Sequence, residues 1–312
     1  MNVEAGPFSE LQRLLAGANQ RGQKVEQVAL SALSRLVAHN PEDMTATVQG
    51  GMSLAQFQSA VAQGNQWLPI DPPNPERLTI SELIHWNWSG PRRFGFGTVR
   101  DYLIGMRMVL PDGRLIRAGG NVVKNVAGYD LCKLAIGSQG TLGIVVEATF
   151  KLLPLPEREC SLQMEFDSLD AADAVLLAIS ESALTPVVID LFRAASDSKW
   201  QIILGFAGAQ EDVESQKARA AELGFRSEGD LAAEQKFWSG GPVRQCSVPP
   251  GNLASTLRQI EANEVVVRAG NGMIYYRGGK EPSATPVPEV LFARVKNAFD
   301  PKHILPELKI NF

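Results

Sequence analysis

The chain has 312 residues, room for two modest domains, with 45% hydrophobic and 21% charged residues, the balance of an ordinary globular protein. The formal net charge is -4 and no basic block stands out, so the chain carries no electrostatic footprint for nucleic acid. Its apolar runs are short, such as Ala174 to Ile179, which excludes direct membrane insertion.

Met1 to Glu10 carries Glu4 and Pro7 and lacks a charged-then-apolar signal pattern. A cytoplasmic protein is expected, peripheral to the inner membrane only through partners. Cys132, Cys160 and Cys246 are far apart and form no CxxC pair, so free thiols are expected and no iron–sulfur or zinc site.

In chain order, Phe8-Leu11-Leu14-Leu15 has helical spacing and is expected to stop at Ala16-Gly17-Ala18-Asn19. Residues 45–50 alternate like a strand. Ser53 can cap a helix with Leu54, Phe57, Ala60 and Val61 on its apolar face. Four prolines mark 65–75 as a turn region. Thr79 to Trp88 reads as a short helix and turn. Asp101 to Val109 is a strand, Pro111-Asp112-Gly113 a tight turn and Arg114 to Ala118 the returning strand. A short helix from Leu131 to Ile136 precedes the glycine-rich stretch Gly137 to Gly143, and Ile144 to Leu153 is a β-branched strand.

Beyond Pro156 the order is strand (161–166), helix (169–180), two strands (187–192 and 201–206), then helix (213–223). This pattern predicts an antiparallel sheet with helices on one face. A strand at 243–248, a helix at 252–260, strands near Val265 and Ile274 and a final helix at 287–299 follow.

Two segments concentrate glycine beside Ser and Thr: Trp88-Ser89-Gly90-Pro91-Arg92-Arg93-Phe94-Gly95-Phe96-Gly97-Thr98-Val99-Arg100-Asp101, and Lys124 to Val145. Such stretches can turn backbone N–H groups toward one anion, or simply make tight turns. Neither matches the G-x-G-x-x-G or the G-x-x-x-x-G-K-[ST] spacing, so Rossmann and P-loop sites are excluded.

The second segment, K-N-V-A-G-Y-D-L followed by G-S-Q-G-T-L-G, resembles the signature of the glycolate oxidase E subunit family. The S-G-P-R-R and G-T-V-R-D loop, the V-L-P-D-G hairpin at 109–113, the stretch from Pro41 to Leu54 and Phe299-Asp300-Pro301 resemble it as well. The resemblance implies an α+β fold: a PCMH-type FAD-binding domain of two α+β subdomains clasping FAD, plus an antiparallel α/β cap, as in the vanillyl-alcohol oxidase superfamily. It implies a division into 1–157, 158–286 and a closing segment 287–312. The implied cofactor contacts are the diphosphate loop Gly17, Ala18, Asn19 and Gln20, then Thr79, Ser81, Asn87, Gly90, Gly97, Thr98, Asp101, Gly137, Gly140, Gly143 and Ile144. No His or Cys lies in that loop, so the FAD is expected to be non-covalent.

The chain departs from the family at three places. Little room precedes Leu14 for the usual strand and helix. Ser81-Glu82 stands where relatives often have two glycines, and Glu82 beside a diphosphate would be repulsive unless it points away. Ile304-Leu305-Pro306-Glu307 replaces asparagine-proline-glycine.

Oxidising a 2-hydroxy acid needs a base for the hydroxyl proton and a cation for the carboxylate. His39 and His303 read as surface or packing residues. His85 is the one histidine near the glycine-rich loops, as a base or as a structural histidine. Arg92 and Arg93 can clamp a carboxylate, or contact a neighbouring subunit or FAD phosphate. Tyr129 and Asp130 can anchor the following helix, with Asp130 as its N-cap. No two histidines have metal-ligand spacing, so no metal is expected. No catalytic residue is assigned.

The resemblance implies an FAD-binding subunit. With a larger flavoprotein subunit and an iron–sulfur subunit, it would oxidise glycolate to glyoxylate and pass electrons to a non-oxygen acceptor. The other reading is a non-catalytic assembly subunit with a degenerate flavin site. A self-sufficient oxidase is a third reading, opposed by the missing base.

Overall fold

The computed structural model describes residues 2–4, 8–120, 130–195, 199–282 and 289–308. The K-N-V-A-G-Y part of the second signature, Tyr129 included, lies outside the described residues, as do the first two residues of the expected closing helix.

Strand β1 (Asn2–Glu4) pairs in parallel with β2 (Gln27–Ala29), and helix Phe8–Arg21 lies between them in the chain. Leu11, Leu15 and Ala18 recur on one buried face of that helix. The expected stop at Ala16–Asn19 is therefore corrected: Ala18 extends the apolar stripe and the helix runs on to Arg21. Gly22, at φ 61°, then ends it, with Gln23 N–H donating to the Ala18 carbonyl.

The next unit is a five-stranded antiparallel sheet. Its strands are β3 (Leu36–Asn40), β4 (Thr45–Gln49), β6 (Leu103–Val109), β7 (Leu115–Gly119) and β8 (Ile144–Lys151), in the order β3-β4-β8-β6-β7. The short pair β5 (Gln66–Trp67) and β9 (Leu153–Pro154) flanks it. Alternation, reset by a β-bulge opposite Arg107 and Met108, sends Val145, Ala148 and Phe150 to one face, against helices Leu54–Ala62 and Ile80–Trp86. Both helices start on capping boxes, Ser53 with Gln56 and Thr79 with Glu82. The opposite face, with Val109, Ile144 and Val146, packs against Leu11, Leu15, Leu30 and Leu33, and against Ile304 and Leu305 from the end of the chain. The β6–β7 turn is locked onto the first helix: Gln12 donates to the Gly113 carbonyl at 3.0 Å, and Gly113, at φ 86°, leaves no room there for a Cβ.

The seven-stranded antiparallel sheet comprises β10 (Arg158–Phe166), β11 (Val188–Arg193), β12 (Trp200–Gly208), β13 (Ser227–Glu228), β14 (Arg244–Ser247), β15 (Glu264–Arg268) and β16 (Met273–Arg277). Their order is β13-β10-β12-β11-β15-β16-β14. Helices Leu169–Glu181, Gln210–Glu222 and Leu253–Ile260 cover one face around Leu191, Val267 and Tyr276. The other face carries Phe192, Val266 and Tyr275 under Phe237 and Trp238. Helix Glu289–Phe299 returns to the first unit, where buried Lys296 donates to the carbonyls of Thr141, Leu305 and Pro306 and pairs with Asp300 at 2.7 Å. No described helix is long and apolar enough to cross a membrane.

Candidate functional site

The glycine-rich stretch 137–143 wraps the C-terminus of helix Ile80–Trp86. Gly137 N–H donates to the Ile84 carbonyl at 3.0 Å and Gln139 N–H to the His85 carbonyl at 2.8 Å. Ser138 and Thr141 N–H groups turn back to Ala135 and Ser138. These four donors close a helix end and a turn rather than converging on an outside anion. Gly143 packs on β6, where a Cβ would lie 2.9 Å from the Val109 carbonyl oxygen, and Ile144 is buried in β8. Gly137 and Gly140 adopt φ 77° and 72°, and the added atoms would meet Asn87 Cβ at 3.9 Å and the His85 ring at 3.5 Å. Asn87 Oδ1 and Ser138 Oγ are buried beside them without a partner.

His85 sits at the centre of this group, 7% exposed. Its Nε2 accepts the Val145 N–H at 3.4 Å, and its Nδ1 lies 3.5 Å from Ser81 Oγ. Burial pushes its pKa down to about 4, so the ring is neutral at pH 7. An accepting Nε2 leaves the proton on Nδ1, directed at Ser81. Both ring nitrogens thus face groups inside the protein.

Ser81 is buried as well. Its N–H donates to the Gly50 carbonyl, and a Cβ on Gly50 would lie 3.3 Å from Ser81 Cβ. A Cβ on Gly51 would lie 1.9 Å from the Leu30 carbonyl oxygen, so the turn Leu30–Leu33 rests directly on this glycine pair. Glu82 is exposed and points away: its Oε2 accepts the Thr79 N–H at 3.0 Å and hydroxyl at 2.8 Å.

Among the residues expected to meet the cofactor, Thr79, Ser81, Asn87, Gly137 and Gly140 gather around helix Ile80–Trp86. Gly17, Ala18, Asn19 and Gln20 do not form a loop. They are the last turns of the first helix, with Ala18 fully buried. Asp130 caps helix Leu131–Ala135 by accepting the Lys133 N–H.

The segment 89–101 fastens the first unit to the seven-stranded sheet. Gly90 lies against the Asp71 backbone and Gly95 against Val187, with Gly95 N–H bonded to the Val187 carbonyl. Thr98 and Asp101 form a capping box behind Gly97 at φ 85°. Arg92 pairs with Asp71 at 3.0 Å and with Glu159 at 2.7 Å, while Arg93 donates to Ser89 Oγ.

Against this fastener lies a charge cluster that the sequence reading missed. Arg268 on β15, 2% exposed, pairs with Asp190 on β11 at 2.6 Å and holds Glu234 through two bonds of 2.6 and 2.8 Å. Burial drives the Asp190 carboxyl well above the usual carboxylate range despite Arg268, and the Asp71 carboxyl up to about 6 despite Arg92. Asp190 Oδ1, Arg268 Nε, Trp238 Nε1 and Asn271 Oδ1 are buried there without partners. The available signal was a charge inside two strongly apolar strands, V-I-D-L-F and E-V-V-V-R.

Residues 8–119 match the family described as FAD binding domain. The chain is 38% identical over 158 residues to glycolate oxidase subunit GlcD of Bacillus subtilis (strain 168), covering 51% of this chain and 34% of that one. It is 33% identical over 226 residues to glycolate oxidase subunit GlcE of Escherichia coli (strain K12), covering 72% of this chain and 60% of that one. The chain thus spans less than two thirds of these curated relatives. A solved alkyldihydroxyacetonephosphate synthase superposes with a TM-score of 0.77 at 15% identity, over 97% of this chain and 76% of that one, a likeness that shows the fold.

The matched domain and the homologues support FAD as the cofactor. Among the described residues, those expected to hold it are engaged within the protein: Gly17–Gln20 are helical, Ser81 is packed on Gly50, and the Gly137 and Gln139 N–H groups close a helix end, an arrangement that does not fit the cofactor. Residues 8–119 thus carry an FAD binding domain, and the chain is a homologue of glycolate oxidase subunits GlcD and GlcE.

Proposed function

We propose that the chain is a subunit of an FAD-dependent complex that oxidises a 2-hydroxy acid, glycolate to glyoxylate, and that it does not turn over alone. In this reading a larger flavoprotein subunit and an iron–sulfur subunit complete the complex and pass electrons to a non-oxygen acceptor. Residues 1–157 and the closing segment 287–312 form the domain of flavin-binding fold, and 158–286 the cap. The complex is cytoplasmic and meets the membrane only through partners.

The observation that supports this reading is the engagement of the arginines. A lone enzyme would need a cation free to take the substrate carboxylate, and Arg92 and Arg93 are the residues expected to offer one. Arg92 is held by Asp71 and Glu159, and Arg268 by Asp190 and Glu234. Arg93 is bonded to Ser89. His85, the one histidine considered as a base, is neutral and locked. The test is dye reduction by glycolate, measured for the purified chain and for the chain co-expressed with its partner subunits. Activity is expected only with the partners. Sustained turnover by the purified chain would reject the reading.

A further inference from the structure

Where the small N-terminal unit meets the five-stranded sheet, the protein's own groups satisfy the polar atoms and fill the space beside the glycines. A buried backbone N–H must have an acceptor. At the head of β8, the Val145 N–H has the imidazole of His85. The pair Gly50-Gly51, in the turn that follows β4, leaves a hollow unless something enters it. Here the Leu30 carbonyl lies where a Gly51 Cβ would be, and the Leu30 and Ser81 side chains approach Gly50. Leu30 and Leu33 belong to one core with Leu11, Leu15, Ile144 and Val146, so the two subdomains meet through hydrocarbon.

We propose that His85 and Ser81, with the Leu30–Leu33 turn, form a permanent internal plug, and that this chain holds no flavin of its own. Polar contacts and apolar burial both favour the closed state. FAD would have to displace a neutral histidine bonded at Val145 and separate the leucines from the sheet. It would gain no diphosphate loop in return, because Gly17–Gln20 are helical and the N–H groups of Gly137 and Gln139 already close a helix. The subunit thus serves the complex by its surface, and redox chemistry belongs to the flavoprotein partner. This rests on the fold and family of the chain, and deepens the proposed subunit role.

The experiment incubates the purified full chain with excess FAD, removes free flavin by gel filtration, and reads flavin per chain from the visible spectrum. A thermal melt with and without FAD runs in parallel. Fewer than about one flavin per ten chains, and no FAD-dependent rise in melting temperature, are expected, because a ligand that binds only the folded state must raise its stability. One flavin per chain, or a clear FAD-dependent rise, overturns the proposal. A second variant probes the plug itself. His85→Ala should melt lower than His85→Gln, whose amide keeps an acceptor for the Val145 N–H, and equal melting temperatures would also overturn it. Failure of the subunit reading shows separately, as loss of co-purification with the partner subunits.

Discussion

Nη1 of Arg268 lies 2.6 Å from Oδ2 of Asp190 across neighbouring strands, and both side chains are almost wholly buried. Removing Arg268 leaves both Asp190 and Glu234 without their cation. Arg268→Ala should destabilise the fold by about 3–5 kcal/mol, read from urea denaturation. Replacing all three, Asp190→Leu and Glu234→Gln with Arg268→Met, should cost clearly less than the single change, because no carboxylate is then left without its cation. Equal losses would mean that the three are not coupled.

His85 gives the protein a pH signature. Its folded-state pKa, about 4, is depressed from the ordinary 6.5 by burial. The stability it contributes is therefore fully present above pH 6.5 and is lost as pH falls toward 4. The whole effect is about 3 kcal/mol. His85→Gln cannot titrate, so the stability of the wild type relative to this variant should decline across that window. A constant difference would show that the ring is not buried in neutral form.

Lys296 holds Asp300 and three carbonyls at the junction of the closing segment with the glycine-rich stretch. Lys296→Met keeps the stem and removes the ammonium. It should cost about 3 kcal/mol or more, since Asp300 is fully buried. Limited proteolysis should then cut the end of the chain sooner than in the wild type. An unchanged cleavage rate would show that the closing segment is held elsewhere.

Glu82 acts as a helix cap. Glu82→Ala should lower stability by about 1 kcal/mol through loss of the bonds to Thr79. It should not raise flavin uptake, because the carboxylate is bonded back to Thr79. A rise in bound flavin would place its charge against the cofactor after all.

The elements with strong local chemistry were legible in the sequence. Ser53 caps the helix of Leu54, Phe57 and Val61, and Pro111-Asp112-Gly113 turns between β6 and β7, as the residue types require. Asp130 caps its helix for the same reason. The first helix was read too short because Ala16 to Asn19 looks like a small-residue stop, whereas burial of Ala18 is decided by residues far along the chain. Strand β3 was missed: His39 resembles a turn residue before Asn40-Pro41, yet its ring nitrogen meets Gln66 at 3.0 Å. The cluster of Arg268, Asp190 and Glu234 was hidden because a charge in an alternating strand usually marks the solvent side. Only the packing of Phe237 and Trp238 over that face shows otherwise.

The core that contains Leu11 and Leu15 also contains Ile304 and Leu305. On the ribosome, the first helix therefore emerges long before the residues that cover it are made. The core of the opening segment stays incomplete, with part of its apolar surface uncovered, until Ile304 and Leu305 have been synthesised. Truncations that spare every residue of the first 300 should still leave the first helix exposed to chaperones and proteases.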